Sequence, residues 1–192
     1  MVSELKTFLL LAVLVASAAQ GAELEGVKLP DKAPAAGTEL QLNGIGLRRR
    51  FVFRVYVAGL YLPHKARSGQ EVLAMPGPKR MTLVMLRDVG AKQFSEALLD
   101  GLRDNLSAAE LERLKPQVDE LTARMAQIGE AKEGSTIELD YAPPAGTVMK
   151  VNGAPQGAPI VGEAFFQALL RIWLGEKPVQ EDLKKSLLGA AP

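Results

Sequence analysis

The side chains with the most chemical potential in this sequence are Arg48, Arg49, Arg50 and Arg54, with Tyr56 just beyond them. A guanidinium is a permanent cation with a planar fork of donors, suited to holding a carboxylate through paired hydrogen bonds. A neighbouring tyrosine hydroxyl would add another donor. The residues around them, Phe51, Val52, Phe53, Val55 and Val57, are strand formers. In one unbroken strand from Arg48 to Leu62, alternation puts Arg48, Arg50, Arg54 and Tyr56 on one face with Val52, Ala58 and Leu60. Phe51, Phe53, Val55 and Val57 take the other face. Two readings stay open. One is an arginine in an apolar pocket that binds a carboxylate; the other is a solvated strand edge guarded by charge.

Most other site chemistry is excluded by composition. With no Cys and one His, the chain holds no thiolate metal site, iron–sulfur cluster, cysteine nucleophile or multi-histidine metal site. A serine triad would have to use His64, which follows a strand end at Leu62-Pro63 and reads as a solvated loop residue. Gly44-Ile45-Gly46 lacks the third glycine of a dinucleotide fingerprint and reads as part of a turn. Twenty-three basic against 22 acidic residues leave a net charge of +1, without the broad basic field that nucleic-acid binding needs. No cofactor is expected.

These residues must be positioned by a fold of about one domain: the chain has 192 residues, 47% of them hydrophobic. Its first part is read as an address. Lys6 precedes the apolar run Phe8–Ala16, and Ala19-Gln20-Gly21 offers a small-residue cleavage site. The run is short for a membrane span. Residues 1–21 are therefore expected to be a secretory signal peptide and 22–192 the working domain, with no stable span after cleavage. The product would be exported, and periplasmic in a Gram-negative bacterium.

Along the domain, strands are expected at Val27–Leu29, Thr38–Leu42, Arg48–Leu62 and Lys79–Arg87, with a turn at Asn43-Gly44 and a loop through the Pro- and Ala-rich stretch to Gly37. A short helix is capped by Ser68. Phe94, Ala97, Leu98 and Leu102 share a helical face. Ser107 and Glu110 make a capping box for the next helix, whose stripe runs from Leu111 to Ile128 and which Pro116 is expected to kink or break. A hairpin pairs Thr136–Tyr141 with Thr147–Val151, followed by a short strand near Pro159–Val161. Glu163–Leu174 is apolar almost all round, so it predicts a buried helix ending at Gly175. Glu181–Leu188 predicts a short amphipathic helix. Strands, helices, hairpin and helices in that order predict an α+β fold with helices packed on an antiparallel sheet.

Several segments together resemble the chalcone isomerase-fold family, in particular its bacterial chalcone isomerase-like branch. They are Asn43–Arg48, Val55–Leu62, Lys79–Asp88 with the helix after it, and Ala168–Gly175 with Pro178 and Leu183–Leu188. The likeness spans residues 40–188. It implies an open-faced β-sandwich, a large antiparallel sheet covered by a layer of helices. It also implies one of two activities: ring closure of a chalcone to a flavanone, as in the plant enzymes, or fatty-acid binding, as in the plastid relatives.

Residue by residue, the resemblance makes Arg48 the arginine that polarises a carbonyl in the enzymes and holds a carboxylate in the binders. Tyr56 falls where the enzymes have a threonine and matches the tyrosine of the binders. Phe94 falls on the enzymes' catalytic tyrosine, Gly101 near their asparagine (with Asn105 close by) and Ile172 near their late threonine or serine. Three polar groups of the enzyme site are thus apolar or missing. The implied function is a non-catalytic exported binder of a fatty acid or similar apolar carboxylate, with Arg48, Tyr56, Phe94, Phe165 and Leu169 around the ligand. The alternatives are an intramolecular lyase or isomerase relying on Arg48, and an envelope accessory protein that meets a protein partner, for instance through the Leu111–Ile128 helix.

Overall fold

A computed structural model describes residues 21–190. The expected signal peptide lies, but for Gly21, outside the described residues. Seven strands form one antiparallel sheet in the order β11-β10-β9-β6-β5-β4-β3. They are β3 (Lys32–Ala35), β4 (Thr38–Arg50), β5 (Phe53–Leu62), β6 (Lys79–Met85), β9 (Thr136–Ala142), β10 (Gly146–Val151) and β11 (Ala154–Pro155). Two small ribbons stand apart: β1 (Ala22–Leu24) with β2 (Val27–Leu29), and β7 (Val89–Gly90) with β8 (Glu130–Ala131). The helices are α1 (Gly69–Ala74), α2 (Ala91–Asn105), α3 (Ala108–Ile128), α4 (Glu163–Leu174) and α5 (Glu181–Leu187). The fold is α+β, a large antiparallel sheet covered on one face by helices, as expected.

Strand alternation divides the sheet into two apolar surfaces. Ala58, Leu60, Leu62, Met81, Leu83, Met85, Ile137 and Leu139 face the helices and form the main core with Phe165, Phe166, Leu169 and Leu170 of α4. Val57, Tyr61, Leu40, Leu42 and Leu47 face the other way, where Leu29 and the β1–β2 ribbon cover them. This outer face also holds a buried ion cluster. Arg80 grips Asp140 through Nε–Oδ1 at 2.5 Å and Nη2–Oδ2 at 2.7 Å, and Lys150 reaches the same carboxylate at 2.7 Å. Glu138 balances Arg80 at 2.8 Å.

Several expectations are corrected. The chain does not run straight from Arg48 to Leu62: it reverses at Phe51-Val52, with Arg50 opposite Phe53. Nor does Asn43-Gly44 turn the chain. It is an irregularity inside β4, where α5 docks. The Asn43 amide donates to the carbonyls of Ala66 at 3.0 Å and Leu187 at 2.7 Å, and its oxygen accepts from Ala66 N–H at 2.8 Å. A β-carbon on Gly44 would lie 2.1 Å from the Ser186 oxygen, so only glycine admits that approach. The stretch read as loop contains β3, in which Ala33 and Ala35 point inward and Pro34 is tolerated at the sheet edge. α3 continues through Pro116. Its solvent-facing position leaves the carbonyl of Glu112, also exposed, open to water. Ile160 makes a single bridge to Thr147 rather than a strand.

Candidate functional site

A cleft of about 690 Å³ opens between α2 and the helix-facing side of the sheet. This volume is within the range that takes a small-molecule ligand, ~300–1,000 Å³. Its inner walls are Leu83, Leu98, Leu121, Met125, Leu139 and Met149. Strand alternation supplies the sheet side chains, and the 3.6-residue repeat of α2 and α3 supplies the rest. Polar groups gather at the mouth: Arg48, Arg50 and Arg87 on the sheet side, Gln93, Glu96, Asp100 and Asp104 from α2, and Lys177, whose backbone is tied to the end of α2.

Arg48 and Tyr56 come together because the chain folds back between them. They are direct cross-strand partners on β4 and β5, and such pairs have their β-carbons ~5 Å apart. Between Arg48–Tyr56 and Arg49–Arg54 the register slips, leaving Val55 as the extra residue of a bulge. Val55 and Tyr56 therefore both line the cleft. Arg54 turns to the outer side and, with Arg49, meets Glu25 of the β1–β2 turn. The expected single face of Arg48, Arg50, Arg54 and Tyr56 is corrected in this one member.

Tyr56 is buried, and its hydroxyl accepts a hydrogen bond from Trp173 Nε1–H at 2.9 Å. Its own proton remains free to donate. Burial raises the Tyr56 pKa above its ordinary 10, the Trp173 bond and the Arg48 charge offsetting only part of that. The group is a neutral donor at any physiological pH.

Arg48 is half-buried and has no carboxylate partner among the described residues. Its acceptors are neutral: the Arg49 carbonyl, at 3.4 Å Gln180 Oε1, and the neighbouring Tyr56 hydroxyl oxygen. Gln180 is clipped to β4 by accepting from Arg49 N–H at 2.8 Å and donating to the Leu47 carbonyl at 3.1 Å. It fixes the strand segment from which the arginine springs. Trp173 and Gln180 were missed by the sequence reading. The signal for Trp173 was available: a lone Trp in an otherwise apolar helix needs an acceptor for its N–H. Gln180 carried no such signal.

Of the other expected residues, Phe94 lines the cleft. Phe165 and Leu169 do not; they are fully buried in the main core. They lie on the same stripe of α4 as Ile172, which does line the cleft, but Phe165 sits two turns, ~10 Å, nearer the helix start. The cleft meets only the last turn of α4. His64 is exposed and off the cleft. Asn105 is spent as a clamp, donating to Gly101 O at 2.9 Å and Lys177 O at 2.7 Å and accepting from Lys177 N–H at 3.1 Å. Gly101 and Ile172, which the resemblance places on two polar positions of the enzymes, touch each other. A β-carbon at 101 would lie 2.8 Å from Ile172 Cγ2. No cluster of three or more His, Cys, Asp or Glu suited to a metal occurs among the described residues. No described helix is long and apolar enough to cross a membrane.

The architecture is thus an antiparallel sheet roofed by helices, with an apolar cleft headed by an arginine–tyrosine pair. The sequence profile of the chalcone isomerase-like family matches residues 21–189, and the chain belongs to that family. A crystal structure of an Arabidopsis thaliana fatty-acid binding protein has the same fold, with a TM-score of 0.66 at 15% identity, covering 88% of this chain and 96% of that one. No curated protein matches the sequence.

Proposed function

We propose that this protein is an exported, non-catalytic binder of a fatty acid or a similar apolar carboxylate. The carrying observation is the arginine without a counter-charge at the head of an apolar cleft. Arg48 has only neutral acceptors, and Tyr56 beside it holds a spare O–H. A carboxylate at the mouth would accept from both, while its chain follows Leu83, Leu98 and Met125 inward. Burying the chain supplies the driving force, ~25 cal/mol per Å² of apolar surface. The headgroup contacts set orientation and selectivity.

The chemistry of the walls supports the non-catalytic reading. Stabilising an enolate takes several donors aimed at the developing charge. Phe94, Gly101 and Ile172 supply none.

Native mass spectrometry after incubation with palmitic acid tests the reading. One acid per chain, lost in Arg48→Ala, is the expected result. Absence of any adduct, or an unchanged adduct in the variant, overturns it. Turnover of a chalcone to a flavanone above the buffer rate would overturn the non-catalytic part. Export rests on the Lys6, Phe8–Ala16 and Ala19–Gly21 pattern. N-terminal sequencing of the secreted product should begin at Ala22, and a chain retaining Met1 in the cytoplasm refutes it.

A further inference from the structure

The β4–β5 hairpin ends in the largest exposed apolar group among the described residues. Phe51 is 88% exposed, Val52 86% and Phe53 55%. A two-residue hairpin loop whose first residue has a positive φ normally takes glycine there. Here that residue is Phe51, at φ 54°. A bulky side chain in this region strains the backbone, and Phe51 recovers almost nothing by packing. The fold itself would be better served by Gly.

The apolar tip is ringed by cations. Arg49, Arg50, Arg54 and Arg87 are exposed around it, with Glu25 the one carboxylate among the described residues paired to any of them. Arg87 lies over the Phe53 ring at 4.8 Å. Apolar side chains projecting through a collar of arginines match the layers of an anionic bilayer: acyl chains beneath, phosphates at the surface. The tip is also continuous with the cleft, since Arg50, Phe51 and Phe53 line its mouth. Glu96, Asp100 and Asp104 form the opposite rim; anionic headgroups would repel them, so the protein leans on the hairpin side with the mouth facing the surface.

We infer that the Phe51-Val52-Phe53 tip and its arginine collar dock the cleft mouth onto an anionic lipid bilayer, so that an amphiphilic acid passes between membrane and cleft without crossing water. The transfer role rests on the fatty-acid reading; the docking itself does not.

Sedimentation with vesicles of equal parts phosphatidylglycerol and phosphatidylcholine tests it, with pure phosphatidylcholine as the comparison. Wild type and variants are compared as the secreted product, which the export reading begins at Ala22. Wild type should sediment with the anionic vesicles and much less with the neutral ones. Phe51→Gly/Val52→Ser, which suits the turn and alters the cleft only at its mouth, should partition at least about tenfold more weakly. Arg50→Gln and Arg87→Gln should each cost about fivefold, less at high salt. Arg48→Ala should keep vesicle binding while losing palmitate, which separates failure of docking from failure of the ligand reading. Failure of the wild type to bind anionic vesicles, or wild-type binding by the tip variant, overturns the inference. So does a dimer that the tip variant converts to monomer, for then the tip pairs copies of this chain.

Discussion

Replacing Arg48 by Gln should cost binding of a fatty acid far more than binding of the fatty alcohol of equal length. Gln keeps much of the stem and removes the charge. In the wild type Arg48 is half-buried and has only neutral partners among the described residues, so an incoming carboxylate would be the counter-charge in direct contact with it. A hydrogen bond to a charged group is worth ~1.5–3 kcal/mol net, which corresponds to about 10- to 150-fold in Kd. The alcohol brings no charge, and its loss should stay within about threefold. The protein carries its own reporter for the titration. Trp173 is the single tryptophan of the chain, lines the cleft and donates to Tyr56, so its emission should shift as the cleft fills. Thermal unfolding of the variant confirms that it is folded. Equal losses for acid and alcohol would make Arg48 a structural residue, and no loss for the acid would place the headgroup elsewhere.

Phe94 borders both the cleft and a smaller cavity of about 30 Å³ that continues it toward Ala131 and Val151. Phe94→Ala should join the two and move the affinity maximum to longer acyl chains, with ~fourfold gained per added methylene where wild type has levelled off; an unchanged chain-length profile counts against this path. Asp140→Ala should lower stability by ~3–5 kcal/mol in denaturant titration, because Arg80 and Lys150 lose the buried carboxylate they share; a loss below about 1 kcal/mol would mean that water already screens the cluster. Glu110 is held at about 2, against an ordinary 4.5, first by the backbone N–H of Ser107, then by the Ser107 hydroxyl and Arg171. A depressed carboxylate pKa contributes stability that is complete above the unfolded value and lost as the pH falls. Melting temperature should therefore drop from about pH 4.5 toward 2, and Glu110→Gln should flatten that slope; parallel curves would refute the linkage.

The elements that were legible in the sequence carry unambiguous local signals. Glu163–Leu174 is apolar with a bounding glycine, and α4 spans those residues. Ser107 and Glu110 form the capping box their spacing predicts. The Thr136–Val151 hairpin alternates cleanly. The main error came from turn chemistry placed where tertiary packing, not chain reversal, uses it. Asn43-Gly44 has turn residues, yet the asparagine amide and the bare glycine backbone serve to seat α5. Phe51-Val52 has none, and the chain turns there.

For the site, the pairing of Arg48 with Tyr56 was reached by alternation along a strand that does not exist. Cross-strand register brings them together instead. Phe165 and Leu169 share a stripe of α4 with Ile172, but periodicity carries no information about depth along the axis, and the cleft does not reach them. Gln180 was invisible because its partners, the Leu47 and Arg49 backbone and the Arg48 guanidinium, lie more than 130 residues earlier in the chain.

The contact between Gly101 and Ile172 bears on the history open to this fold. A side chain larger than hydrogen at 101 collides with Ile172, whereas a smaller residue at 172 alone leaves a void above the glycine. Each change is harmful first and tolerable second, so the two positions are bound by epistasis. A descendant of this protein reaches a polar pair there only by crossing a less stable intermediate or by changing both together. Saturation of the two codons at once would find sequences that stepwise selection at either one misses.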